Sequence, residues 1–215
     1  MDVVTNASQD SGRSRDGWGD PPTGPRETLG MTQTFTRMDQ STAEEWGVIG
    51  RETMAAQSEV VDHVLAMLRS LEGVSMGFAV DQLAHCLQTA TLAERAGADK
   101  EVVVAALFHD VGKAIGVPNH PRMAAEILRP YVRDEVFKMI LVHQDFQGRH
   151  YYQHFGGDPA AREKHRDTLT AEEFELAAKF ADEWDQIAFD PDYDTLPLEH
   201  FEPTAREVFA TPHML

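Results

Sequence analysis

The stretch Ala105-Ala106-Leu107-Phe108-His109-Asp110-Val111-Gly112-Lys113 decides the reading of this chain, because an apolar helical run ends there in two adjacent metal-ligand side chains. Upstream lies His85, within Gln82-Leu83-Ala84-His85-Cys86-Leu87-Gln88-Thr89-Ala90, and downstream come His120, His143 and the pair Trp184-Asp185. Each sits on or beside an apolar helical segment. Four imidazoles and two carboxylates so placed are what a two-metal site in a helical bundle requires.

Working outward, the pattern is helical throughout. Ser41 or Thr42 followed by Glu44-Glu45 has the form of a helix start, and Val60, Val61, Val64, Leu65, Leu68 and Leu71 fall at the spacing of a packing helix. A further helix is expected over 80–95, ended by Gly97, and another over 100–108 with the His-Asp pair at its C-terminal end. Two more are expected near 121–128 and 134–143, and a long one over 171–187. No segment alternates in strand fashion, and there is no internal repeat. The fold class expected is all-α.

At 215 residues the chain suits one well-buried domain, or a domain with an appended tail. Residues 1–41 are rich in Ser, Thr, Gly, Asp, Arg and Pro, with breakers at Pro21-Pro22 and Gly24-Pro25. That composition predicts a flexible leader, with Met31 or Met38 as alternative starts, ahead of a helical bundle over 42–215. The net charge of -17 leaves no basic face to neutralise phosphates, which argues against a nucleic-acid partner. A lone Cys86 excludes an intrachain disulfide and suits a reducing compartment. No apolar run is long enough to span a bilayer, and no signal-peptide core is present, so no membrane is expected and the cytoplasm is the default location.

Taken singly, each candidate ligand has an ordinary alternative. His85 can be a hydrogen-bonded core histidine, His120 a helix-start residue before Pro121, and His143 an imidazolium at a helix end. Asp185 can cap a helix or pair with a base. The conjunction weighs against these readings, because burying four imidazoles and two acids without a metal leaves several unpaired polar groups, each costing about 1–3 kcal/mol. His and carboxylate without thiolate suit Fe, Mn, Zn or Mg. Asp110 is then placed to bridge two ions, with His109 and Asp185 completing one coordination sphere and His120 and His143 supplying the other. Cys86 reads as core filler facing away from the site, and His150, His154 and His165 as loop residues.

The set His85, His109-Asp110, His120, His143 and Asp185 resembles the HD-domain superfamily over about residues 74–209. Within it, the chain is similar to the mixed-valent diiron oxygenase branch, which includes myo-inositol oxygenase and the oxygenases that cleave the carbon-phosphorus bond of hydroxylated phosphonates. The signatures are His85-Cys86-Leu87-Gln88-Thr89-Ala90, His109-Asp110-Val111-Gly112-Lys113, His143 followed by Gly156-Gly157-Asp158, and Trp184-Asp185 followed by Asp190-Pro191-Asp192 and Leu196-Pro197. The resemblance implies an HD-domain helical bundle around a dinuclear site holding two Fe ions as Fe(II)/Fe(III), with Mn, Mg or Zn as alternatives. It implies a small hydroxylated substrate and O2 as partners, and oxidative cleavage of a C-P or C-C bond.

By the same resemblance Lys113 is a catalytic and substrate-binding residue, and Gln88, Gln144 and Phe189 are substrate contacts. The segment 144–154, with Phe146, Tyr151 and Tyr152, is expected either to wall the pocket or to pack as a surface loop. The chain departs from the branch at Ser75 and Phe78, where phosphonate-cleaving relatives carry Tyr and Glu, and at Phe189, where the oxygenases hold a Lys. The departures imply a less cationic pocket, suited to a substrate with an apolar or cationic remainder. Two alternatives stand beside the oxygenase: a metal-dependent phosphohydrolase acting on a nucleotide or phosphate ester, and a degenerate HD module that only binds.

Overall fold

A computed structural model describes residues 35–213. Residues 1–34, most of the expected leader, lie outside the described residues. The described residues fall into two compact units, 35–57 and 58–213. In the first, helix α1 (Ala43–Gln57) starts at a capping box: Glu45 N donates to Thr42 Oγ1, and the Thr42 N–H donates to the Glu45 carboxylate. That exchange satisfies two donors the first helical turn leaves open.

The second unit carries α2 (Val60–Arg69), α3 (Gln82–Arg95), α4 (Lys100–Phe108), α5 (His120–Leu128), α6 (Asp134–Gln147), α7 (Ala171–Lys179) and α8 (Leu198–Phe209). No strand occurs among the described residues, as the sequence pattern requires. Each start has a local cause. Asp81 accepts from Ala84 N and so begins α3 two residues later than the apolar pattern suggested, and Asp99 accepts from Glu101 N and Val102 N at the head of α4. Thr170 and Glu173 close a capping box on α7. Gly97 ends α3 with φ +76° and its neighbour Ala98 N reaches back to Ala93 O, a left-handed cap that only glycine adopts cheaply.

α4 is the axis of the core. Its residues 102–108 are all buried, and it packs against α3, α6 and α8. A helix buried all round has no polar face to give water, so its polar C-terminal end is held inside the protein. α5 packs on α6, and α6 on α7. α6 runs one turn beyond the expected end at His143, to Gln147. The expected helix over 171–187 is α7 continued by a π-helical turn, Phe180–Asp185, in which Gln186 N bonds Ala181 O five residues back. The widened turn brings Phe180, Ala181, Trp184 and Asp185 to the inside together; such turns are rare and recur at functional sites.

Candidate metal centre

His109 caps the C-terminal end of α4, and Asp110 begins the 3-10 turn Val111–Ala114. This turn lies so close to the start of α5 that a Cβ on Gly112 would sit 2.5 Å from His120 O and 2.9 Å from His120 Cα. The glycine is therefore what lets Asp110 and Lys113 approach His120. His85 comes from the first turn of α3, His143 from α6 and Asp185 from the π turn. All six groups are at most 5% exposed.

The four imidazoles are held in one manner. His109, His120 and His143 each donate Nδ1–H to the main-chain oxygen three residues earlier: Ala106 at 2.7 Å, Val117 at 2.7 Å and Ile140 at 2.6 Å. His85 Nδ1 donates to Ala188 O at 2.9 Å. A carbonyl only accepts, so each bond fixes the tautomer and turns Nε2 inward. The inward nitrogens meet, with His85 Nε2 and His109 Nε2 3.1 Å apart.

Asp110 stands between two pairs of rings. Its Oδ2 lies 3.4 Å from His85 Nε2 and 3.3 Å from His109 Nε2, while Oδ1 lies 3.0 Å from His120 Nε2 and 3.5 Å from His143 Nε2. Asp185 Oδ1 joins the first pair, 3.1 Å from His85 and 3.5 Å from His109. Two groups of three thereby have ligand atoms within 4.8 Å of one another: His85, His109 and Asp185, and His109, Asp110 and His143. Asp110 Oδ1 and Asp185 Oδ2 are buried without a hydrogen-bond donor. Two carboxylates and four inward imidazole nitrogens gathered at these distances hold more lone pairs than there are protons among them, a cost that a cation removes. The donor set, nitrogen and carboxylate oxygen, fits divalent metals of the first transition row.

The electrostatics agree. Burial works against a charged His109, yet the Asp110 and Asp185 carboxylates beside it push it up to about 10. Burial works against the charge on Asp110 and Asp185 too, but His109 holds both well below the usual carboxylate range, with Lys113 adding to the effect on Asp110. His143 is lowered by burial. In effect the cluster traps positive charge at its centre.

Lys113 Nζ contacts Asp110 Oδ2 and donates to Gln82 Oε1 at 2.7 Å, so its charge sits at the edge of the cluster. Two glutamines that the sequence reading passed over belong here. Gln147 donates to Asp185 Oδ1 at 2.8 Å, and Gln82, fully buried, takes Lys113. The signal was present: Gln147 follows His143 by four residues and Gln82 precedes His85 by three, so each shares its ligand's helix face.

The expected substrate contacts divide. Phe189 lies at the centre, its ring stacked on His85 with centroids 4.2 Å apart and planes at 12°. Gln144 stands one residue after His143. Gln88 has both ends of its amide engaged with the main chain of Asp190, donating to O at 2.7 Å and accepting from N at 3.2 Å. Phe146, expected either to wall the pocket or to pack within a surface loop, is fully buried against Phe174. Cys86 is fully buried in the apolar core, and burial raises its thiol pKa well above the usual value.

The family model of the HD domain matches residues 83–190, half of the chain, and this span contains all six groups. HD domains bind divalent metals, and members of the family are generally enzymes. No curated protein matches the chain. No helix among the described residues is long and apolar enough to cross a membrane.

Proposed function

The chain belongs to the HD-domain family, and on that premise we propose that it is an O2-dependent diiron oxygenase that cleaves a C-P or C-C bond of a small hydroxylated substrate. The observation that carries this reading is Asp110, whose two oxygens face different histidine pairs. A carboxylate so placed suits two cations side by side, with His85, His109 and Asp185 around one and His120 and His143 around the other. Bound there, two irons supply a Lewis-acid position for a substrate hydroxyl and electrons for O2. The four electrons that reduce O2 are drawn from the C-H bond and the C-P or C-C bond of the substrate, so no outside reductant is needed. In C-P cleavage both oxygen atoms enter the carboxylate and phosphate products, and in C-C cleavage one enters the carboxylate and the other leaves as water.

The protein's own part is positional. Four main-chain carbonyls hold the imidazoles in one tautomer, which spares the site any reorganisation when it is loaded. Gln147 fixes the orientation of Asp185. Lys113, 14% exposed at its side chain, offers a cation to an anionic oxygen of the substrate. Phe189 covers one face of His85 and excludes water there.

Lys113 beside Asp110 equally suits the charge that develops on a phosphoryl group, which supports a second reading, a metal-dependent phosphohydrolase. Purified protein separates the two. Iron with a mixed-valence spin signal and O2 uptake on adding a hydroxylated phosphonate or polyol is the expected result. Mn, Mg or Zn with turnover of a phosphate ester and no O2 uptake would overturn the oxygenase reading in favour of the hydrolase.

A further inference from the structure

Phe189 is fixed on both sides by α3. Ala188 O accepts from His85 Nδ1, and the Asp190 backbone is clamped by the Gln88 amide, so the residue between them has little freedom. One face of its ring covers His85, and the other carries Phe78, centroids 4.6 Å apart and planes at 21°. Phe78 is held differently. It sits in the connection before α3, just after Met76 at φ +49° and Gly77 at φ +88°, and it is 50% exposed.

Within the described residues of the second unit, the large exposed apolar side chains are Met76, Phe78, Ile115, Val117, Phe155 and Ile187. All but Phe155 lie on a segment that joins or adjoins residues of the centre. Met76 and Phe78 precede His85, Ile115 and Val117 connect Lys113 to His120, Phe155 follows α6, and Ile187 stands between Asp185 and Phe189. Residues elsewhere on this unit follow the usual rule of a polar exterior.

Resting on the metal-centre reading above, we propose that Phe78 and Phe189 form an aromatic wall that binds the apolar part of the substrate, so that the enzyme selects molecules with a polar, metal-chelating head and an alkyl or aryl tail. A cationic tail is the poorer match at Phe189. Both faces of that ring are taken, by His85 and Phe78, and what remains is its electropositive edge. An apolar tail gains from the same surface in proportion to the area it covers.

The test measures binding of methyl-, propyl- and hexylphosphonate, without O2, to the full chain carrying the metal it holds on purification. The expected result is an affinity that rises about fourfold per methylene, with the dependence on chain length lost or halved in Phe78→Ala and in Phe189→Leu. The slope is read within each protein, and Phe78→Ala touches neither His85 nor the ligands. Bound methylphosphonate with no chain-length dependence in the wild type, or a slope unchanged in both variants, would overturn the aromatic wall and leave the metal centre standing. Failure of all three phosphonates to bind would overturn the wall, and the metal content of the same preparation shows separately whether the metal-centre reading stands.

Discussion

Histidines of one chain meet two fates here, and the difference lies in which ring nitrogen is engaged. At the centre, His85, His109, His120 and His143 spend Nδ1 on main-chain carbonyls and keep Nε2 for one another and for Asp110 and Asp185. Away from it, His150, His165 and His200 spend Nε2 on single carboxylates, Asp182 at 3.0 Å, Asp145 at 2.9 Å and Glu94 at 2.8 Å. A ring of the second kind meets a single carboxylate through Nε2 and belongs to no group of potential metal ligands among the described residues. A ring anchored to the backbone is oriented without being neutralised, and its free nitrogen is available to a cation.

Substitutions that break the centre should outweigh those that break the outlying pairs. Asp110→Ala removes the group shared by both histidine pairs, and the expected outcome is loss of both metals and of turnover, beyond the roughly 10–100-fold that loss of a supporting hydrogen bond costs. Metal analysis and a turnover assay on the same preparation check it. Gln147→Ala leaves the ligands in place but releases Asp185, so metal affinity should fall by about 10-fold to 100-fold, read by competition with a chelator.

Proton linkage sharpens the contrast further. Without metal, His109 is raised to about 10, so the stability this ring adds is fully present below its unfolded value near 6.5 and is lost as pH rises through 10. Near neutral pH a cation must displace that proton. Metal affinity should therefore climb by about tenfold per pH unit for each proton displaced, and calorimetry in two buffers of different ionisation enthalpy should show at least one proton released. An outlying pair has no such linkage to metal. His165→Ala should leave metal content near wild type and cost about 1 kcal/mol of stability or less, seen as a small fall in the denaturation midpoint. Cys86→Ala is expected to do the least to the centre: metal content near wild type, with about 1 kcal/mol lost from the core.

Much of this was legible because the signal was chemical and local. His109-Asp110 at the end of an apolar run announces polar ligands inside a core, and the all-helical fold follows from spacing alone. The carbonyl partners of the rings were not legible, since Ala106, Val117, Ile140 and Ala188 contribute only backbone atoms. Periodicity also fails to say which polar residue on a helix turns to the site: Gln82 and Gln147 do, while Gln88 holds Asp190. The π turn is invisible to a 3.6-residue pattern, because the widened turn is what changes the register that puts Asp185 inward. α8 was passed over although Leu198, Phe201, Ala205, Val208 and Phe209 keep helical spacing; Pro203 within it reads as a breaker, and the surrounding packing overrides it.

The central claim is that one buried carboxylate, Asp110, stands between two cations. Counting metal in the full-length protein, purified without added chelator, by elemental analysis alongside low-temperature spin resonance tests it most directly. The account predicts two irons per chain with a coupled mixed-valence signal in the wild type, both absent in Asp110→Ala. A single ion per chain, retained when Asp110 is replaced, would contradict it.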